Sequence, residues 1–241
     1  MVGRLTRDEQ LEMVEQARQV VAASPFKRPM TPGGRRMLVK VSAAGHFGWW
    51  SDAKAGYRYV DRDGAGKPWP EMPRLWGDVA DRFAGEHPWD SAILNWYEPE
   101  ASLSWHVDKS EADVSLPIVT ISLGDAASWA VRPPGGKATR CRVESGDVTL
   151  LAGPTRDWEH AIERIYPTPR VGQGLLPGVD EAPLLANPGR ISITIRVAGD
   201  PALAAARMQR VRADEAQPLT FEQMGPIADK VGADFRKAVR R

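Results

Sequence analysis

The stretch Arg190-Ile191-Ser192-Ile193-Thr194-Ile195-Arg196 alternates strictly between polar and β-branched apolar residues. Period two is the signature of a strand, so Arg190, Ser192, Thr194 and Arg196 share one face and the three isoleucines share the other. Two arginines flanked by hydroxyls and turned towards an interior are costly unless an anion lies between them. Guanidinium binds carboxylate as a two-pronged fork, so a dicarboxylate answers the pattern. An edge strand whose polar face meets solvent would give the same alternation.

Working outward from this strand, short β-type runs recur at 92–97, 102–107, 118–123, 128–131, 139–143, 148–151 and 160–165, with turn residues between them. Eight strands at that spacing predict a double-sheet barrel or jelly roll, because a parallel α/β sheet would need helices in the gaps. The second of these runs ends in His106-Val107-Asp108. On a strand, residues i and i+2 face the same way, so this imidazole and carboxylate can converge on one ion. His160, at the head of the 160–165 run, is the candidate third ligand. Two histidines and one carboxylate on one face of an octahedron form the facial triad of non-haem Fe(II) oxygenases.

Composition sets outer limits. The 241 residues include 32 Lys+Arg against 31 Asp+Glu, so no global field announces a polyanionic partner. One cysteine, Cys141, excludes an internal disulfide framework and a Cys-rich zinc site, and it suits a reducing compartment. The first residues lack the apolar core of a signal peptide, and no run of about 18 apolar residues occurs. The expectation is a cytoplasmic protein without a membrane span. Nine Trp, 22 Gly and 20 Pro agree with a turn-rich β scaffold.

Thr6 with Glu9 is a capping-box pattern opening an amphipathic helix over 7–23. A strand is expected over Met37–Val41. From Gly45 to Pro73 no period is sustained, though Trp49, Trp50, Tyr57, Tyr59 and Trp69 crowd there, as in a lid or binding loop. Pro73 opens a helix running to about Gly85. Helices are expected again over Ala202–Arg212 and about Phe221–Val239, in a tail from Pro201 carrying eight Lys/Arg against five Asp/Glu.

His106-x-Asp108, His160 and Arg190-x-Ser192-x-Thr194-x-Arg196, in this order and spacing, resemble the AlkB family of Fe(II)/2-oxoglutarate dioxygenases. The likeness extends through Met30-Thr31-Pro32-Gly33-Gly34, Gly45-His46-Phe47-Gly48-Trp49, Gly56-Tyr57-Arg58-Tyr59, Lys67-Pro68-Trp69-Pro70, Asn95-Trp96-Tyr97-Glu98-Pro99, Pro117-Ile118-Val119 and Gly146-Asp147-Val148, covering about 25–198. The resemblance implies a mainly β fold with flanking helices: a double-stranded β-helix (jelly roll) core over about 91–198, with an N-terminal nucleotide-recognition lid over about 30–70. The expected organisation is an N-terminal helix at 1–24, a dioxygenase domain at 25–200 and a helical C-terminal extension at 201–241.

The same resemblance implies iron held by His106, Asp108 and His160. It implies 2-oxoglutarate held by Arg190 and Arg196, helped by Asn95, Tyr97 and Ser192, with dioxygen as third reactant. The reaction it implies is hydroxylation of an N-alkyl carbon coupled to decarboxylation of 2-oxoglutarate, the hemiaminal then falling apart to aldehyde and repaired base. The implied partner is nucleic acid, single-stranded DNA before RNA, carrying lesions such as 1-methyladenine and 3-methylcytosine. A monomer is expected. Trp49 and Tyr57 fall where the family's lid stacks an aromatic on the alkylated base, which must be unstacked to reach a metal.

Three positions depart from close bacterial members. Ser192 replaces an asparagine, Ser110 replaces an acidic residue facing the base, and Arg35 replaces an aromatic and offers a cation to phosphate. Lys109 beside Ser110 is a further substrate contact. Lys40, Arg58, Arg74, Arg132, Lys137 and Arg164 are other candidates for phosphate. The same iron chemistry on RNA, a free nucleoside or a small metabolite is an alternative, as is a jelly-roll binding module without catalysis. Cys141 between Arg140 and Arg142 reads as a plain strand cysteine, and His46 and His87 as surface or capping histidines.

Overall fold

The computed structural model describes residues 1–168, 170–171, 174–175, 185 and 187–216. Its strands are β1 (Gly3–Arg4), β2 (Lys40–Gly45), β3 (Gly48–Asp52), β4 (Gly56–Val60), β5 (Ser91–Tyr97), β6 (Leu103–His106), β7 (Ile118–Gly124), β8 (Ala126–Arg132), β9 (Thr139–Val143), β10 (Asp147–Leu151), β11 (Glu159–Tyr166), β12 (Arg170–Val171), β13 (Gly174–Leu175) and β14 (Arg190–Arg196). Its helices are α1 (Arg7–Ala23), α2 (Arg74–Ala84) and α3 (Pro201–Ala216). Met1–Ala204 is one compact unit, and the chain from Ala205 belongs to a second. No helix among the described residues is long and apolar enough to cross a membrane.

The alternating strand proves central. β14 lies between β7 and β5 in a six-stranded sheet of order β1-β10-β7-β14-β5-β2, and a second sheet runs β6-β11-β8-β9. All described pairings are antiparallel, and residues of both sheets line one cavity between them, the arrangement of a jelly roll. Every residue of β14 is buried, which excludes an edge strand with a solvated polar face. Its isoleucines Ile191, Ile193 and Ile195 pack in one core cluster with Met13, Val14, Ala17 and Val20 of α1 and Trp76, Val79 and Ala80 of α2. Burying each isoleucine contributes roughly 2 kcal/mol, so the helices are what allow the other face of β14 to stay polar.

The Thr6–Glu9 capping box forms as the sequence predicts: the Thr6 amide donates to Glu9 Oε2 at 2.8 Å and the Glu9 amide to Thr6 Oγ1 at 3.3 Å. Three differences from expectation stand out. The strand expected at Met37–Val41 is β2, which starts at Lys40 and runs on through Ser42-Ala43-Ala44. Small side chains are chosen there because Ala43 and Ala44 are fully buried. β1, two residues long, pairs with β10 and carries no sequence period that would announce it.

The third difference is the most consequential: the stretch read as irregular contains a hairpin. β3 and β4 pair from Gly48↔Val60 to Asp52↔Gly56. Asp52 Oδ1 accepts from the Lys54 and Ala55 amides at 3.0 and 2.8 Å, and Gly56 takes φ +68°, so Ala53-Lys54-Ala55 closes tightly. Trp69 anchors the open end. Its Nε1 donates to the Val60 carbonyl at 2.8 Å, and its ring packs so closely that a Cβ on Gly48 would come within 2.2 Å of it. The helix expected at about 221–239 lies outside the described residues.

Candidate active site

β6 and β11 are neighbours in the second sheet, and their register puts His106 directly opposite His160. The two rings are 4.2 Å apart, centroid to centroid. Each Nδ1 faces a carbonyl oxygen two residues earlier, Ser104 at 2.8 Å and Trp158 at 3.4 Å. A carbonyl only accepts, so Nδ1 carries the hydrogen and Nε2 keeps its lone pair for an ion. Asp108, just beyond β6, brings Oδ1 to 3.8 Å from His106 Nε2 and Oδ2 to 3.8 Å from His160 Nε2. The three ligand atoms lie within 4.8 Å of one another.

Protonation states suit the same use. Burial pushes His160 down to about 4, so it is neutral at pH 7. Burial alone would raise the Asp108 carboxyl. The charge of Arg196, with that of Arg156 behind it, instead holds it well below the usual carboxylate range. Two imidazoles presenting Nε2 and one ionised carboxylate are the donor set that a first-row divalent metal such as Fe(II) accepts, with one face left to other ligands.

The polar face of β14 closes the other side of the space. Arg196 Nη1 is ion-paired with Asp108 Oδ2 at 3.1 Å and donates to Glu111 Oε1 at 2.5 Å, while its Nε has no partner. Arg190 lies against Tyr97, its guanidinium carbon 5.1 Å from the ring centre, and donates from Nη2 to Ser122 Oγ at 2.9 Å. Its Nε and Nη1 are buried and unpartnered. Burial lowers the pKa of Arg190. Arg196 is also opposed by burial, but Asp108, Tyr59 and Glu111 outweigh it and lift the value. Buried donors without acceptors are expensive, so three orphaned N–H groups in one cavity fit a bound polyanion such as 2-oxoglutarate.

The sequence-predicted residues Arg35, Trp49, Tyr57, Asn95, Tyr97, His106, Asp108, Lys109, Ser110, His160, Arg190, Ser192 and Arg196 all line one cavity of about 550 Å³. Asn95 stands opposite Ser192 and Tyr97 opposite Arg190 across the β5–β14 ladder. Trp49 and Tyr57 stack on each other, centroids 5.4 Å apart and planes 22° apart, with Tyr57 half-exposed. Arg35, Lys109 and the unpredicted Arg36 are exposed at the rim.

Several of the cations that the sequence offers to phosphate are ion-paired in the fold, and Cys141 is the plain strand cysteine expected. Lys40 and Arg28 both pair with Glu98, the former at 2.7 Å; Arg58 pairs with Asp52 at 2.7 Å and Arg132 with Glu159 at 2.8 Å. Arg74 faces Asp78 at 3.7 Å. These cations are already compensated, unlike the exposed Lys137 and Arg164. Arg140 and Arg142 do not activate Cys141. They engage Glu163 and Glu144 from the opposite face of β9, and burial pushes the thiol up.

Three residues were missed: Tyr59, read only as one of the lid's aromatics, together with Glu111 and Arg156. Tyr59 donates to Glu111 Oε1 at 3.1 Å, and Arg156 Nη2 donates to Glu111 Oε2 at 3.1 Å. Arg156 also reaches the Asp108 carbonyl at 2.7 Å and the Leu116 carbonyl at 2.8 Å. The only local signal was a carboxylate three residues past Asp108; its partners lie 45, 52 and 85 residues away.

Comparison with known proteins agrees with this geometry. Residues 1–196 match the model of the 2OG-Fe(II) oxygenase superfamily. A Caulobacter vibrioides protein, alpha-ketoglutarate-dependent dioxygenase AlkB homolog, is 38% identical over 201 residues, 80% of this chain and 84% of the relative. Alpha-ketoglutarate-dependent dioxygenase AlkB of Escherichia coli K12 is 34% identical over 163 residues, 63% of this chain and 74% of the relative. The solved structure of OsALKBH1 superposes with a TM-score of 0.65 at 25% identity, covering 80% of this chain and 92% of that one. With its His-Asp-His cluster and paired buried arginines, the chain belongs to the AlkB family of 2OG-Fe(II) oxygenases, dioxygenases that use Fe(II), 2-oxoglutarate and dioxygen.

Proposed function

We propose that this chain oxidatively dealkylates N-alkylated bases, such as 1-methyladenine and 3-methylcytosine, in single-stranded DNA. The observation that carries the reading is convergence. The His106–Asp108–His160 cluster, the orphaned donors of Arg190 and Arg196, and the Trp49–Tyr57 aromatic pair all open onto the same cavity. A redox metal site with a diacid site could serve any small substrate; an aromatic face and exposed cations at the mouth suit a base on a phosphate backbone.

In this assignment His106 and His160, through Nε2, and Asp108, through its carboxylate, hold Fe(II). Arg190, beside Tyr97 and Ser122, takes the carboxylate of 2-oxoglutarate remote from the metal, and Arg196, bonded to Asp108, takes the end near it. Asn95, Tyr97 and Ser192 line the cosubstrate's path. When bound, Fe(II) with 2-oxoglutarate and dioxygen supplies the oxidation that turns an N-alkyl carbon into a hemiaminal, yielding succinate, CO2 and aldehyde. The chain's own part is to orient. Asp108 stays ionised, both Nδ1 hydrogens are fixed by carbonyls, and the aromatic pair offers a stacking surface that offsets about 1–3 kcal/mol of the cost of unstacking the base. Arg35 and Lys109 contact flanking phosphates, and Ser110 faces the base.

We also propose the division into an N-terminal helix at 1–24, a dioxygenase domain at 25–200 and an extension at 201–241. It is supported by the end of α1 at Ala23 and the start of α3 at Pro201. A cytoplasmic monomer is part of the proposal; the lone cysteine suits the reducing compartment it names.

The test is to supply Fe(II), ascorbate and 2-oxoglutarate and to follow succinate and formaldehyde with methylated single-stranded DNA, duplex DNA, RNA and free nucleosides. Formaldehyde in step with succinate, greatest on single-stranded DNA, is expected. Greatest turnover on RNA or on free nucleosides would move the assignment to that substrate, and no release from any of them would end it.

A further inference from the structure

The two arginines of β14 are held in different ways. Arg196 is oriented by its own ion pairs with Asp108 and Glu111. Among the described residues no carboxylate pairs with Arg190, whose polar neighbours are the Ser122 hydroxyl and the Tyr97 phenol. A guanidinium kept open for an incoming carboxylate cannot be aimed by carboxylates of the protein, so its aim has to come from the backbone beneath it. That backbone is clasped by Asp125, the single residue between β7 and β8, where the chain passes from the first sheet to the second. Asp125 is buried, and its amide donates to the Gly189 carbonyl at 2.9 Å. Its Oδ2 accepts from the Gly189 amide at 2.7 Å and its Oδ1 from the Thr168 amide at 3.1 Å. Gly189 immediately precedes Arg190, and Thr168 follows β11. The seat is tight: Gly189 takes φ +141°, and a Cβ there would come within 2.6 Å of the Tyr97 carbonyl oxygen and 3.0 Å of the Trp96 ring.

We propose that Asp125 is a positioning residue for the cosubstrate: it fixes the Gly189 peptide and thereby aims the Arg190 guanidinium at the carboxylate of 2-oxoglutarate remote from the metal. Closing the chain between 168 and 189 calls only for a bond to each end. The second bond to Gly189, from the Asp125 amide, locks the orientation of the peptide from which Arg190 hangs. Arg190 is the first residue of β14, paired with Tyr97 on one side and Gly124 on the other, so the ladder supports it from its C-terminal side and the clasp from its N-terminal side. Burial and Tyr97 govern the ionisation of Arg190, so Asp125 acts through the main chain and not as a counter-charge. The buried, unpartnered Nε and Nη1 are then presented as a fork in a set direction, at the cost of no ion pair that an incoming carboxylate would have to break.

The inference rests on the assignment of Arg190 to the remote carboxylate, and its test contains no nucleic acid. Fe(II)-loaded protein without dioxygen is titrated with 2-oxoglutarate and with 2-oxobutyrate, a monoacid that keeps the metal-facing end and lacks the remote carboxylate. Asp125→Asn keeps the size of the side chain but turns an amino group on one of the two amides. It lowers the affinity for 2-oxoglutarate by about 10-fold, the loss of one arm of a charge-assisted fork, and leaves that for 2-oxobutyrate within about twofold. A merely structural lesion would weaken both alike. In an Arg190→Met background, Asp125→Asn has no further effect on 2-oxoglutarate, because the two substitutions remove one interaction. An unchanged ratio of the two affinities in Arg190→Met overturns the cosubstrate assignment and this proposal with it. A reduced ratio there beside an unchanged ratio in a folded Asp125→Asn overturns this proposal alone. Should Asp125→Asn fail to fold, the unmodified chain decides: by reciprocity 2-oxoglutarate slows amide exchange at Gly189 by about 10-fold and 2-oxobutyrate does not. Equal protection by both acids, or by neither, overturns the proposal.

Discussion

Replacing Arg190 by methionine has two consequences of opposite sign, and together they identify what the residue is for. Arg190 is 3% exposed, with Nε and Nη1 lacking acceptors, Nη2 bonded to the neutral Ser122 hydroxyl, and the neutral Tyr97 phenol rather than a carboxylate beside it. Without cosubstrate this is an uncompensated buried charge. An apolar side chain of similar length should stabilise the empty protein by about 1–4 kcal/mol, the range found when buried ionic groups are replaced by packed apolar ones. With cosubstrate, the variant loses a forked charge-assisted contact of about 3–4 kcal/mol, so 2-oxoglutarate should bind roughly 100- to 1000-fold more weakly. Thermal melts with and without 2-oxoglutarate read both effects. At about 100 times its dissociation constant the ligand should stabilise the unmodified chain by about 2.7 kcal/mol, or roughly 5–10 °C. Arg190→Met should melt higher than the unmodified chain when empty and show almost no ligand shift. A variant that melts lower when empty yet keeps the full ligand shift would refute the reasoning, since Arg190 would then be a structural ion already satisfied in the fold.

Trp49→Ala should raise KM for a methylated oligonucleotide by roughly 10- to 100-fold, the loss of about 1–3 kcal/mol of stacking, with the dissociation constant for 2-oxoglutarate unchanged; a change confined to the latter would remove Trp49 from the base site. His160 gives a pH dependence with a defined sign. Its folded value of about 4 lies below the roughly 6.5 of an unfolded histidine, so the unfolded chain binds more protons between the two. Stability from this group is therefore complete above about pH 6.5 and is lost as pH falls towards 4, about 3 kcal/mol in all. Chelator-treated protein should lose urea resistance from pH 7 to pH 5, and His160→Gln should flatten that slope; parallel slopes for the two would contradict the assignment.

How far the sequence could be read depended on where each residue's partners lie. β14 was legible because alternation is local, and so was the capping box at Thr6. His106 and Asp108 were legible as a pair because only one residue separates them, although β6 ends at His106 and Asp108 lies just past it. The role of His160 came from chemistry and resemblance, while its seat opposite His106 is a sheet register no local pattern encodes. The β3–β4 hairpin was hidden because the adjacent Trp49 and Trp50 break the alternation of β3, leaving Tyr57-Arg58-Tyr59 too short to stand out, and because its turn is specified by Asp52 and Gly56 rather than by an Asn-Gly or Asp-Gly pair. Glu111, Arg156 and Tyr59 were invisible as a group. Each alone looks like a surface charge or a lid aromatic, and only the folded chain brings their atoms to within 3.1 Å.

The place of β14 in its sheet also bears on biosynthesis. It is the last strand of the six in chain order, yet it lies between β5 and β7, both made much earlier. Until residues 190–196 emerge from the ribosome, two long strand edges stay open to unwanted pairing, which makes the growing polypeptide a natural client for chaperones. The strand that closes this gap is also the one carrying both guanidinium groups. Completion of the sheet and arrival of the diacid grip are thus a single folding event, and no partly synthesised form can hold the cosubstrate.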